Sequence, residues 1–147
     1  MRSLALIVED EVDAADVLAL MFEHWGYDTV IGNDGFEGYH LAISMLPDLV
    51  LSDYAMPGLN GAELANKLAE NTATASIPFI LMSAKYESIN VPAGLSAVLK
   101  KPFELEYLRN VVEGLCIPPR THQSILHLLS NDKSQRSDDE DKTPTKA

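Results

Sequence analysis

Two kinds of apolar pattern alternate along this chain. Leu4 to Val8 reads LALIV, five apolar residues without a polar break, and Leu49 to Leu51 and Ile77 to Met82 repeat that texture. Strands covered by helices on both faces read this way, because neither face meets water. Between these runs the period lengthens. Val12, Ala15, Leu18, Ala19, Phe22 and Trp25 fall on one broad helical face, and Gly26 stands where the left-handed residue after a helix belongs. Thr29 to Ile31 predicts a second strand, Asn33-Asp34-Gly35 a turn, and Phe36 to Leu46 a second helix closed by Pro47. Leu49 to Leu51, the third strand, ends abruptly at Ser52-Asp53.

A polar loop from Tyr54 follows, then a third helix over Ala62 to Ala69 with Asn60 or Gly61 near its start. Ile77 to Met82 predicts the fourth strand, with Pro78 tolerable near its beginning. Tyr86 to Val91 has room for one or two helical turns before Pro92 and Gly94 stop them. Ala97 to Leu99 predicts a short fifth strand, Lys100 to Phe103 a loop, and Glu104 to Leu115 the last helix. Strand and helix thus alternate five times. That alternation predicts an α/β fold, a flavodoxin-like doubly wound five-stranded parallel sheet of order 2-1-3-4-5 with right-handed crossovers. The helix between the fourth and fifth strands is expected to be shortened or distorted.

From Pro118 the texture changes again. Ser124 to Leu129 is compatible with a brief amphipathic helix, and residues 130–147 are mostly Ser, Asp, Lys and Thr. Such a composition buries too little to offset the entropy of ordering. The expected organisation is one domain over residues 1–117 and a mostly disordered tail over 118–147, with nothing left for an effector domain.

Charge narrows the function classes. The 147 residues carry a net charge of −11, and before Pro118 there are 17 acidic against 6 basic residues. An acidic domain repels phosphate backbones, which argues against direct nucleic-acid binding. Cys116 is the single cysteine, so neither an intrachain disulfide nor a thiolate metal site is available. No apolar run approaches a membrane helix and no signal-peptide core opens the chain, so the predicted location is the cytoplasm.

In the predicted sheet the carboxyl ends of strands one, three, four and five are neighbours, and that edge is where open α/β sheets bind ligands. They bring together Glu9 and Asp10, Asp53, Ser83 and Lys101. Taken alone, Glu9-Asp10-Glu11 reads as acids at a helix N-terminus, Asp53 as a loop cap, Ser83 as a turn residue and Lys101 as a surface lysine. Together they make a charge problem. Carboxylates ~4 Å apart repel by about 4 kcal/mol per pair at an effective dielectric of about 20. A hard divalent cation with oxygen ligands offsets that repulsion, and Mg²⁺ suits a small site of this kind. An Asp carboxylate can also accept a phosphoryl group as an acyl phosphate, with Lys101 as a point charge and Ser83 as a hydrogen-bond donor to the transferred group.

The Val8-Glu9-Asp10 run, the DYAMPGLNG sequence from Asp53, Ser83-Ala84 after an apolar strand and Lys101-Pro102-Phe103 together resemble the receiver domain of two-component response regulators, in particular the stand-alone, chemotaxis-regulator-like kind. The resemblance covers roughly residues 3–116. It implies that Asp53 accepts phosphate from a histidine of a sensor kinase or phosphotransfer protein. It further implies Mg²⁺ held by Glu9, Asp10, Asp53 and the Ala55 carbonyl, Ser83 as the switch hydroxyl, and a cis bond between Lys101 and Pro102. Output would pass through contacts with a downstream protein, and catalysis would be limited to the chain's own phosphorylation and dephosphorylation. Two positions depart from the family. Val98 stands where an aromatic residue usually precedes the lysine, and the segment from Ser83 to Lys101 is short.

Other functions fit less well. A degenerate receiver serving as a phosphorylation-independent scaffold draws support from Val98 and the short segment, against the intact acids, Ser83 and Lys101. An aspartate-nucleophile phosphatase needs a second acid two residues after the nucleophile, where this chain has Ala55. Dinucleotide binding lacks its glycine-rich turn after the first strand. His24, His40, His122 and His127 show no ligand spacing, and Phe22, Trp25 and Met56 are expected to pack in the core.

Overall fold

A computed structural model describes residues 2–84 and 94–115. Five parallel strands, β1 (Leu4–Val8), β2 (Asp28–Gly32), β3 (Leu49–Asp53), β4 (Phe79–Ser83) and β5 (Ala97–Lys100), form one sheet in the order β2-β1-β3-β4-β5. Among the described residues the helices are α1 (Val12–His24), α2 (Gly35–Met45), α3 (Gly61–Glu70) and α4 (Leu105–Gly114). This is the predicted fold and strand order. The expected turns over Tyr86 to Val91, and the whole of 118–147, lie outside the described residues.

The apolar runs are central because both their faces are covered. All five residues of β3 and all five of β4 are buried. Successive side chains point to opposite faces, and the two cores sort accordingly. Ala5, Ile7, Leu49, Leu51, Ile80, Met82 and Leu99 pack with Leu18 and Phe22 of α1 and Leu108 and Val112 of α4. Leu6, Val8, Val50, Phe79 and Leu81 pack on the other side with Ala42 of α2 and with Leu64 and Leu68 of α3. Trp25 closes the first core, its ring 5.2 Å from that of Phe22 and beneath the Arg109 guanidinium at 5.9 Å.

Local chemistry sets the boundaries. The β4 strand begins at Phe79 rather than at Ile77. Pro78 has no N–H and offers only its carbonyl, to Val50 N at 2.9 Å, while Ile77 N turns back to Thr74 O at 3.1 Å. Asp34 caps α2 by accepting from Glu37 N at 2.8 Å. Asn60 opens α3 with a full capping box, in which the Asn60 side chain accepts from Glu63 N and the Glu63 carboxylate accepts from Asn60 N. Leu46, not a glycine, ends α2 in the left-handed region at φ 48°.

Candidate functional site

The site is built where β1, β3 and β4 stop, at one edge of the sheet. β1 and β3 are hydrogen-bonded neighbours, with Val8 beside Ser52. The next residues, Glu9 and Asp53, are therefore adjacent by register. Glu9 N donates to Gly32 O of β2 at 3.0 Å, which fixes the backbone as it leaves the strand. Both side chains are sequestered, Glu9 at 3% and Asp53 at 7% exposure, whereas Asp10 is exposed. One carboxylate oxygen from each of Glu9, Asp10 and Asp53 lies within 4.8 Å of the other two.

Lys101 enters from the opposite side of this edge. Its backbone N–H donates to Ser83 O at 2.9 Å, tying the chain after β5 to the end of β4. Its peptide bond to Pro102 is cis. The ammonium then reaches Asp53 Oδ1 at 2.8 Å and Glu9 Oε1 at 3.9 Å. Ser83 is buried at the last position of β4. Every residue singled out at the four strand ends is thus at this one edge. Ala55 sits two residues past Asp53 in the exposed part of the following loop.

Among the described residues one cation, Lys101, stands among three acids, which leaves that part of the site negative. Glu9 shows the effect: its carboxyl is pushed up to about 7, by burial first and by the Asp53 charge second, against the pull of the Glu11 amide and Lys101. The Glu9 carboxylate accepts from Glu11 N at 3.3 Å. A buried carboxyl that ionises only near neutrality beside two further acids is a group in want of a positive charge. Three oxygen donors this close, and of this hardness, fit Mg²⁺.

The other residues singled out in the sequence lie elsewhere. Phe22, Trp25 and Met56 are buried packing residues. His24 and His40 are exposed on α1 and α2 and belong to no cluster of metal-ligating groups among the described residues; His122 and His127 lie outside those residues. Val98 is only partly buried, and it opens onto a cavity of about 600 Å³ lined also by Lys100, Pro102, Phe103, Glu104 and Tyr107. Sequence reasoning missed Gly61, whose backbone lies so close to Asp53 that an added Cβ would strike the Asp53 carbonyl oxygen. The glycine is visible in the sequence, but the close approach is not.

Comparisons with known proteins agree with this architecture. Residues 5–113 match the family described as the response regulator receiver domain. The response regulator ArlR of Staphylococcus saprophyticus is similar, at 37% identity over 107 residues, covering 70% of this chain and 47% of ArlR. The chain spans about half the length of the curated relatives it matches. Among solved structures, the response regulator TrrA of Thermotoga maritima, in complex with Mg²⁺ and beryllofluoride, superposes with a TM-score of 0.71 at 26% identity, covering 77% of this chain and 98% of TrrA. A CheY-like receiver domain from Methylobacillus flagellatus shares the fold, with a TM-score of 0.70 at 22% identity over 78% of this chain and 98% of its own. No helix among the described residues is long and apolar enough to cross a membrane. With its parallel sheet, its strand order and a family match over most of its length, the chain belongs to the response regulator receiver domain family.

Proposed function

We propose that this protein is a phosphorylatable switch in which Asp53 takes a phosphoryl group from a histidine of a sensor kinase or phosphotransfer protein. The observation that carries the reading is the placement of Lys101 Nζ 2.8 Å from Asp53 Oδ1, beside a cluster of Glu9, Asp10 and Asp53 oxygens. An Asp53 oxygen attacks phosphorus, the phosphorus–nitrogen bond breaks, and the histidine leaves with the electron pair. An acyl phosphate remains. Attack by water on phosphorus later returns the free carboxylate and inorganic phosphate.

Phosphoryl transfer asks for positioning and charge neutralisation more than for covalent help. Lys101 supplies one positive charge to the transferred oxygens, and Ser83 supplies a hydroxyl to another. Glu9, Asp10, Asp53 and the Ala55 carbonyl would hold Mg²⁺, which when bound neutralises the remaining charge. The similar structure of TrrA, solved in complex with Mg²⁺ and beryllofluoride, supports Mg²⁺ as the cation. The phosphoryl group adds about −1.5 to −2 charge, and a downstream protein reads the altered surface. The acidic domain does not bind nucleic acid itself, and it works in the cytoplasm as one unit over residues 1–117.

The test is intact-mass measurement after incubation with Mg²⁺ and acetyl phosphate. One added phosphoryl group is expected on the wild type, and none on Asp53→Asn or in EDTA. A wild type that gains no mass and binds no Mg²⁺ overturns the reading. That result would favour a phosphorylation-independent scaffold, for which the open cavity beside Val98 is the supporting observation.

A further inference from the structure

The loop that leaves Asp53 is held in an unusual way. Its ends are tied by backbone: Tyr54 N donates to Met82 O at 2.8 Å, and Gly61 N donates to Tyr54 O at 2.9 Å. Between them, no backbone N–H or C=O of residues 55–59 is hydrogen-bonded to another described residue. Backbone without such bonds takes its position from packing. Met56 and Leu59 supply two anchors, both buried against the α2–α3 core. Ala55, Pro57 and Gly58 remain exposed, and Gly58 turns the chain at φ 78°.

The third hold comes from outside the loop. The start of α2 lies against it at two successive residues. Gly35 abuts Leu59 so closely that a Cβ there would come within 2.8 Å of Leu59 Cβ. Phe36 covers the next loop residue, its Cε2 being 3.0 Å from where a Gly58 Cβ would stand. This end of α2 is itself firmly set: Asp34 Oδ1 accepts from Glu37 N at 2.8 Å, and Glu37 Oε1 accepts from Asn33 N at 2.7 Å. Phe36 is 54% exposed, so it contributes little to the core, while the Cδ2–Cε2 side of its ring lies next to Gly58.

We infer that Phe36 is a positioning residue for the metal site, its ring clamping Gly58 from the capped start of α2 and so fixing the loop that carries Ala55. The inference rests on the proposed role of the Ala55 carbonyl as a Mg²⁺ ligand. A ligand on backbone with no hydrogen bond to another described residue depends on the packing around it, and the loss of residues that support metal ligands weakens binding by roughly tenfold or more.

The experiment is Mg²⁺ titration of the full chain by calorimetry, with amide relaxation of Ala55 and Gly58 measured in the metal-free protein. Phe36→Ala is expected to weaken Mg²⁺ binding by roughly tenfold and to raise the mobility of both amides. Phe36→Tyr, which keeps the ring, should restore both, and the thermal midpoint without metal should stay close to the wild type in each. Wild-type affinity in Phe36→Ala, or unchanged amide relaxation, overturns the clamp. A wild type that takes up no Mg²⁺ overturns the metal reading and the inference with it, which separates the two failures.

Discussion

Lys101 Nζ stands 2.8 Å from Asp53 Oδ1, so the cation and the carboxylate at this sheet edge form a direct ion pair. The pair has consequences in both directions. Lys101 partly neutralises the cluster, and as a cation beside Asp53 and Glu9 it competes for the charge on which the proposed Mg²⁺ binding would draw.

Lys101→Met is therefore expected to bind Mg²⁺ more tightly, by roughly fivefold, a change of about 1 kcal/mol and typical of a partly exposed charge pair. The same variant should accept phosphate at least roughly tenfold more slowly, because the transferred oxygens lose their fixed charge. Calorimetry and the rate of mass gain with acetyl phosphate check the two arms. Unchanged Mg²⁺ affinity would show that Lys101 does not compete for the acids.

The raised carboxyl of Glu9 predicts a particular pH dependence in metal-free buffer. The folded protein holds the Glu9 proton up to about 7, against an ordinary value of 4.5, and burial is the main cause. The folded state thus binds more protons than the unfolded chain in this window, and its stability falls as pH rises through it. Relative to Glu9→Gln, the wild type should lose on the order of 2 kcal/mol between about pH 4.5 and about pH 7. Denaturant melts of both proteins in EDTA at several pH values measure this. Parallel stability curves for the two proteins would refute it.

Gly61→Ala tests the close approach behind Asp53. The new methyl would meet the Asp53 carbonyl oxygen and would lie 2.6 Å from Leu81 Cδ1. Backbone cannot swing aside as a side chain can, so a loss of about 2–3 kcal/mol is expected. Denaturation midpoints measure it. A neutral substitution would mean that the loop end is free to shift.

Asn60→Ala removes one half of the capping box at the start of α3. About 1 kcal/mol of stability should go with it. Asn60→Asp should recover most of that, since a carboxylate at this position also accepts from Glu63 N. Thermal melts of the two variants distinguish a cap from a merely polar residue.

The sheet was legible because LALIV, LVL and the run ending FILM lack polar interruptions, and burial on both faces leaves a sequence no other way to look. The acids and Lys101 were legible because strand order alone carries Glu9, Asp53, Ser83 and Lys101 to one edge. What stayed hidden depends on distance rather than on residue type. Gly35 and Gly61 read as a turn and a helix start, yet each marks a place where two backbones touch. Phe36 read as the first residue of a helix, and its grip on Gly58 exists only once α2 and the loop after β3 are side by side. The two-residue shift in β4 came from Pro78, whose missing donor the apolar run conceals.

The single tryptophan of the chain lies at the far end of α1 from Glu9 and Asp10, with a helix of 13 residues between them, about 20 Å at 1.5 Å per residue. Trp25 packs on Phe22 and under Arg109, out of reach of any charge that changes at the acids. Its emission is thus a built-in optical gauge of whether the α1–α4 side of the molecule is assembled. Quenching of that emission by Mg²⁺ or beryllofluoride would report a shift carried along the helix to the opposite end of the molecule.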